Sequence, residues 1–280
     1  MPKEPKRIQF YLTVNEGKWF IADAISRMDA VIQAKQAGKV VLKGGTTVSC
    51  LAELLFNKPL HISGRLTPRG AKVAKTTDKK PHCLLVHQGE ETILDDIADE
   101  ALLELGSGDV MIISANIIDV MGNAAMLAGS PAGGCYGRAV SAMTVEGLTV
   151  IVAAGLEKLI PGSVTDSVLL SRRKEVDFSH GLSCGLFPIY GHAVVTELSA
   201  IRLFADVDAV VIGRGGIQGA EGGTLIQAWG SEGQIALLEE AIKRCKGKPI
   251  SGDEVSLLEC VPSQETCRHL SCCYKQGGTD

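Results

Sequence analysis

The chain has 280 residues, with 28 Lys plus Arg against 32 Asp plus Glu, giving a formal charge of −4. That balance offers no basic footprint for nucleic acid, and 45% apolar residues exclude a disordered chain. Aromatics make up only 4% while glycines number 32, so Ala, Val, Leu and Ile must build a core punctuated by many strand–loop–helix joints. No run approaches the roughly 18 apolar residues of a membrane span. The charged start, with Lys3, Glu4, Lys6 and Arg7, leads into no apolar export segment. Nine cysteines, an odd number, are therefore expected as free thiols in the cytoplasm, with no membrane or nucleic-acid partner.

Residues Lys18 to Gln36 carry Phe20, Ile21, Ala24, Ile25, Met28, Val31 and Ile32 at helical spacing, and Gly38 stops that helix. Val40-Val41-Leu42 is a continuous apolar run, which predicts a buried parallel strand. A helix is expected from Val48 to Phe56, then a stretch from His61 to His82 that is either a surface excursion or a short irregular strand pair. Thr92 to Leu105 reads as a helix, Asp109 to Ile113 as a second strand, Tyr136 to Val145 as a helix and Thr149 to Val152 as a third strand. Alternation of apolar strands with helices predicts a parallel sheet covered on both faces. All its strand-to-helix loops then gather at one edge.

From Gly185 onward the expected order is strand Phe187–Tyr190, helix Ala193–Phe204, strands Ala209–Ile212 and Thr224–Trp229, helix Glu232–Arg244 and a last strand within Pro249–Leu258. That β-α-β-β-α-β order is ferredoxin-like. The fold class expected is therefore α/β, a Rossmann-like parallel three-layer sheet in residues 1–178 with a smaller ferredoxin-like α+β domain in 179–280 ending in a cysteine-rich tail.

Three segments at the expected sheet edge can hold a ligand. Lys43-Gly44-Gly45-Thr46-Thr47 joins a strand to a helix, where backbone amides and the helix N-terminus favour an anion. The alternative is a tight turn with a threonine cap. In the second segment, from Met121 to Arg138, Gly133 and Gly134 leave room for a ligand, Arg138 can pair with an anion and Cys135 is a thiol. In the third, Glu157 and Lys158 follow the third strand, where they can act as acid, base or clamp, or form a solvated charge couple.

The succession VVLKGGTTVSCLAELL (40–55), GDVMIISANIIDVMGN (108–123), SPAGGCYGRA (130–139) and TVIVAAGLEKLIP (149–161) resembles the superfamily of ribose-5-phosphate isomerase, glucosamine-6-phosphate deaminase and coenzyme A transferases. Sugar-phosphate-sensing domains of some bacterial repressors belong there too. The resemblance spans about residues 20–165 and lies in motif order. It implies that Gly44–Thr47 holds a sugar phosphate. The isomerases' Asp-Gly-Ala-Asp segment is replaced by Ser114 to Asp119, their Lys-Gly-Gly-Gly-Gly by Pro131 to Gly134 without a lysine, and their Asp-x-Ser-Lys by Gly155-Leu156-Glu157-Lys158.

Four further motifs carry candidate chemistry. The glycine run Gly213–Gly223 misses the dinucleotide fingerprint and reads as a long hairpin loop. Its Glu221 resembles the acyl-accepting carboxylate of coenzyme A transferases. Gly181-Leu182-Ser183-Cys184-Gly185 matches a nucleophile elbow in pattern but lacks its strand–helix context. Cys260, Cys267, His269, Cys272 and the adjacent Cys273 are metal candidates with no standard spacing, and His82, Cys83 and His87 form another such group.

The expectation is a homo-oligomer that binds a small phosphorylated or carboxylated metabolite of sugar-phosphate or acyl-coenzyme A type. Lys43, Gly44, Gly45, Thr46, Thr47, Gly133, Gly134, Arg138 and Lys158 would bind it. Asp119, Glu157 and Glu221 are the candidate catalytic groups for an isomerase or transferase. No resident cofactor is expected, and coenzyme A enters only as a substrate. A non-catalytic metabolite sensor or oligomeric regulator is the competing class.

Overall fold

The computed structural model describes residues 5–68, 70–73, 80–95, 97–134, 136–137 and 144–258. Its centre is a mixed six-stranded sheet. Strands β2 (Lys39–Lys43), β7 (Val110–Ser114), β10 (Thr149–Ala153) and β12 (Ala193–Val195) run parallel, and β5 (Cys83–His87) and β6 (Glu90–Ile93) add antiparallel neighbours in the order β12-β10-β7-β2-β5-β6. The first three expected strands thus lie side by side.

Continuous apolar sequence suits these strands because both faces are covered. Val40, Leu42, Ile112 and Ile151 point into one core, and Val41, Met111, Ile113, Val150 and Val152 into the other. Helix α1 (Val14–Ser26) occupies the first core, with Phe20, Ile21, Ala22, Ala24 and Ile25 fully buried. A helix apolar on nearly every side belongs in an interior, and α1 packs against α3 (Thr46–Phe56), α6 (Glu197–Phe204) and α7 (Glu232–Cys245). Thr13 and Glu16 begin it with a reciprocal capping box. The second core lies against β8 (Ile117–Ile118), β9 (Ala124–Ala128) and β11 (Gly185–Ile189), an antiparallel sheet that contributes Ala124, Met126 and Ile189.

Several expectations are corrected. The helix read over 18–36 is two helices, α1 and α2 (Asp29–Ala37), because Met28 is extended between them. Residues 92–105 do not form one helix. Gln88 and Gly89, both at positive φ, make a two-residue hairpin turn that returns Glu90–Ile93 along β5, and only α4 (Ala98–Ala101) and a 3-10 turn follow. The helix expected over 136–145 falls largely outside the described residues. Strand β1 (Lys6–Leu12), hidden in a charged N-terminus, pairs with β14 (Thr224–Gly230), which also pairs with β13 (Asp208–Arg214).

Among the described residues the second half forms no separate ferredoxin-ordered sheet. Its strands β11, β12 and β14 join β9, β10 and β1 respectively, so strands from both sides of residue 178 share each of these sheets. The last expected strand is instead a turn of helix, α8 (Glu254–Leu257), because Asp253 and Ser256 bond the chain at Leu60 and Ile62. Residues β3 (Gly64–Thr67) and β4 (Gly70–Val73) form a hairpin within the irregular excursion, and α5 (Val164–Leu170) precedes β11. Among the described residues no helix is long and apolar enough to cross a membrane.

Leu42 is fully buried in β2 between α1 and the strand ladder. Leu42→Ala is expected to lower the unfolding free energy by about 2–5 kcal/mol in urea titration. Leu237→Ala, at a position 53% exposed on α7, is expected to change it by no more than about 0.5 kcal/mol.

Candidate functional site

Parallel pairing brings the carboxyl ends of four strands to one edge. Ser114 pairs with Ala153, and Ala153 with Val195, so the segments after Lys43, Ser114, Ala153 and Val195 emerge together. Of the sequence candidates, Lys43, Gly44, Gly45, Thr46, Thr47, Glu157 and Lys158 stand at this edge.

Gly44 and Gly45 are there for close packing. The Gly44 amide donates to His82 O at 2.6 Å, and a β-carbon on Gly44 would strike the His82 ring. A β-carbon on Gly45 would strike Ser114 Oγ. The Gly44 amide is thus spent, which narrows the expected anion seat. What stays open is the start of α3, where the amides of Thr46, Thr47 and Val48 have no acceptor among the described residues. Such N-terminal donors carry a partial positive charge. Ser114 Oγ, against Gly45, is buried and has no hydrogen-bond partner among the described residues.

Beside it lies a carboxylate pair. Glu157 sits on the 3-10 turn Leu156–Lys158, and Glu197 opens α6 behind the Thr196–Ser199 capping box. The Leu156 amide donates to Glu197 Oε2 at 2.7 Å, whereas Glu157 Oε1 is buried without a partner among the described residues. Two glycines make the room. A β-carbon on Gly155 would collide with Glu157 Oε2 and come within 3.0 Å of Glu197 Oε1, and one on Gly17 would stand 2.5 Å from Glu197 Oε1. Burial first, then the neighbouring Glu157, pushes the Glu197 carboxyl up to about 7 against the pull of the Leu156 amide. Lys18, buried on α1, faces both glutamates, and burial pulls its ammonium below the usual lysine range despite them.

Neither Lys18 nor Glu197 stood out in the sequence. Lys18 belongs to a helix read as a core stripe, and Glu197 resembles any first-turn acid. The usable signal was Gly17-Lys18 directly before the apolar run Trp19–Ala22, since a buried charge needs both space and a partner.

On the other face of the sheet, Lys43 Nζ lies 3.4 Å from His82 Nε2 and 4.8 Å from the centre of the Tyr136 ring. Tyr136 therefore brings the second glycine-rich segment to the first. Gly133 and Gly134, at φ 74° and 69°, shape the turn, and Gly133 rests on Phe187. Arg138 and Cys135 lie outside the described residues.

Two expected catalytic carboxylates have other duties. Asp119 accepts from the amides of Met121, Asn123 and Val164 and from Asn123 Nδ2, all within 3.0 Å. Burial raises its carboxyl, but these donors outweigh burial and hold it below the usual range. Asp119 pins the β8–β9 turn to α5 and has no free lone pair directed at a substrate. Glu221 is exposed on the β13–β14 loop, where Oε2 accepts from the Gly219 amide at 2.9 Å. The glycines of that loop admit Tyr11, whose hydroxyl donates to Gly215 O and Ala220 O and whose ring abuts Gly223.

At 181–185, Gly185 begins a strand and no helix follows, so the elbow geometry is absent. No cluster of metal-ligating side chains occurs among the described residues, and Cys260, Cys267, His269, Cys272 and Cys273 lie outside them. Two clefts lie away from this edge. One of about 190 Å³ is lined by Trp19, Asp23 and Arg244, whose charges pair with each other. One of about 340 Å³ is at the amino ends of the strands beside Gly38, Asp109 and Thr149. Among the described residues neither holds an unpartnered buried polar atom.

Between the unfolded value of 4.5 and about 7, the folded state keeps the Glu197 proton that the unfolded chain has lost. Stability thus falls as pH rises through that window and stays reduced above it. Glu197→Gln is expected to raise Tm at pH 8 by about 2 °C or more, with a smaller gain at pH 5, in paired thermal melts. Asp119→Ala is expected to cost about 2 kcal/mol or more by stranding the amides it serves, while leaving ligand affinity intact in a binding titration.

No protein-family model, curated protein or solved structure matches the chain. The geometry of the carboxyl edge therefore carries the functional reading.

Proposed function

We propose that the protein binds a small phosphorylated or carboxylated metabolite at the carboxyl edge of its parallel strands and moves a proton on it, as an isomerase does. One observation carries this reading. Among the described residues two buried polar oxygens, Ser114 Oγ and Glu157 Oε1, lack partners at the same edge as the open amides of α3. Buried polar atoms are nearly always satisfied, and a ligand supplies what the protein leaves out.

The roles follow from charge. The α3 amides and Ser114 hydroxyl donate to the anionic group, and the Lys18 ammonium adds attraction. Glu157, with one oxygen uncommitted, is the base, and Glu197, protonated near neutrality, is the acid. A carboxyl held protonated near neutrality beside a second carboxyl with an uncommitted oxygen suits proton transfer between neighbouring carbons. Lys158 closes over the anion from the turn that carries Glu157. The parallel strands and the helix start at their carboxyl ends suit the Rossmann-like, isomerase and coenzyme A transferase-like arrangement suggested by motif order. A cytoplasmic setting accords with the free thiols of Cys50, Cys83, Cys184 and Cys245. Exposed Val120, Met121, Leu170 and Phe178 accord with a homo-oligomer.

Thermal-shift titration with sugar phosphates and acyl coenzyme A esters tests the binding step. A saturable rise in Tm is expected for one class. Thr46→Val, Thr47→Val and Ser114→Ala should each weaken it, Ser114→Ala by about 5–10-fold, the worth of one hydrogen bond. For the stabilising ligand, Glu157→Gln is expected to reduce turnover by about 10²–10⁴-fold with affinity kept. Binding without turnover would instead assign the edge to a sensor, and stabilisation unchanged by all three edge variants would move the site elsewhere.

A further inference from the structure

Lys43 is buried, yet among the described residues no carboxylate lies within ion-pair distance of its ammonium. Its contacts are neutral. His82 Nδ1 lies 2.9 Å from His61 O, a carbonyl that only accepts, so this ring nitrogen carries the proton and Nε2 presents a lone pair to Lys43 Nζ. The Tyr136 ring covers the amine, and the Tyr136 hydroxyl is buried with no partner among the described residues. Cys83, opposite Lys43 in the ladder, is a buried thiol. The nearby Asp95 carboxylate is occupied by the amides of His82 and Cys83. An ammonium kept for structure would be matched by a carboxylate. This one is held by an acceptor and by a ring whose hydroxyl has no partner among the described residues.

We propose that Lys43 is an amine nucleophile that condenses with the aldehyde or ketone group of a small metabolite to form an imine. The neutral amine adds its lone pair to the carbonyl carbon. Both amine protons then leave with the carbonyl oxygen as one water, and no electrons change hands. His82 Nε2 orients the amine, and the Tyr136 hydroxyl donates to the departing oxygen. Burial supports the step by drawing the Lys43 ammonium down to about 8, against the opposing pull of Cys83 and Asp95. Burial and the Lys43 charge hold His82 down to about 3, so it stays a neutral acceptor. Lys43 shares its face of the sheet with Val41, opposite the face that carries Leu42 and α1. The proposal is thus independent of the roles given to Lys18, Glu157 and Glu197.

The test is reductive trapping on the wild-type chain with glycolaldehyde and cyanoborohydride at pH 7.5, with sites located by peptide mass spectrometry. Glycolaldehyde carries no phosphate, so it reports on the amine whether or not the anion seat exists. Lys43 is expected to be modified at least about tenfold faster than the exposed Lys35, Lys174 and Lys243, given its larger neutral fraction. Its rate should saturate with aldehyde concentration. The fast phase should disappear in Lys43→Arg, which keeps the charge but cannot form an imine. Modification of Lys43 at the rate of the exposed lysines or slower would overturn the proposal.

Discussion

Everything at the candidate site depends on the side-by-side alignment of β2, β7, β10 and β12. Because these strands are parallel, their carboxyl ends coincide, and four segments far apart in the chain arrive at one edge. A parallel ladder is stable only when both its faces are buried. The coverage that allows the sheet to form also removes water from the groups at its rim. Lys18, Lys43, His82 and Glu197 are held in their unusual proton affinities by this single constraint, since burial is the largest cause in each case.

Burial alone would be ruinous for charged side chains, and the fold offsets it by local means. The Leu156 amide holds Glu197, glycines at 17 and 155 clear a volume that any side chain would fill, and Lys18 supplies the opposing charge. On the other face, a tautomerically fixed imidazole and an aromatic ring take the place of a counter-ion for Lys43. The edge therefore presents two chemically distinct halves, an acid–base half beside α1 and an amine half beside β5.

Asp119 and Glu157 illustrate how the same residue type diverges with context. Both follow apolar strands and both look available in the sequence. Asp119 falls where a hairpin reverses and is saturated by the amides of its own turn and of α5. Glu157 falls on a turn whose amides serve a different carboxylate, so one of its oxygens stays uncommitted. Local sequence does not fully separate these outcomes, because the Val164 amide that completes the Asp119 set and the Glu197 carboxylate that takes the Leu156 amide are both remote in the chain.

What the amino-acid order determined by itself was the local chemistry. Continuous apolar runs at 40–42, 110–113 and 150–152 specified buried strands, glycine pairs marked the joints, and Lys43-Gly44-Gly45-Thr46-Thr47 was recognisable as a strand-to-helix corner. Only tertiary structure decided which strands became neighbours. It moved β1 from a charged N-terminus onto β14 and distributed β11 and β12 between two sheets. It also drew Lys18 and Glu197 into the interior beside Glu157. Strand pairing and charge burial depend on contacts between residues remote in sequence, whose energies exist only once the chain has closed on itself.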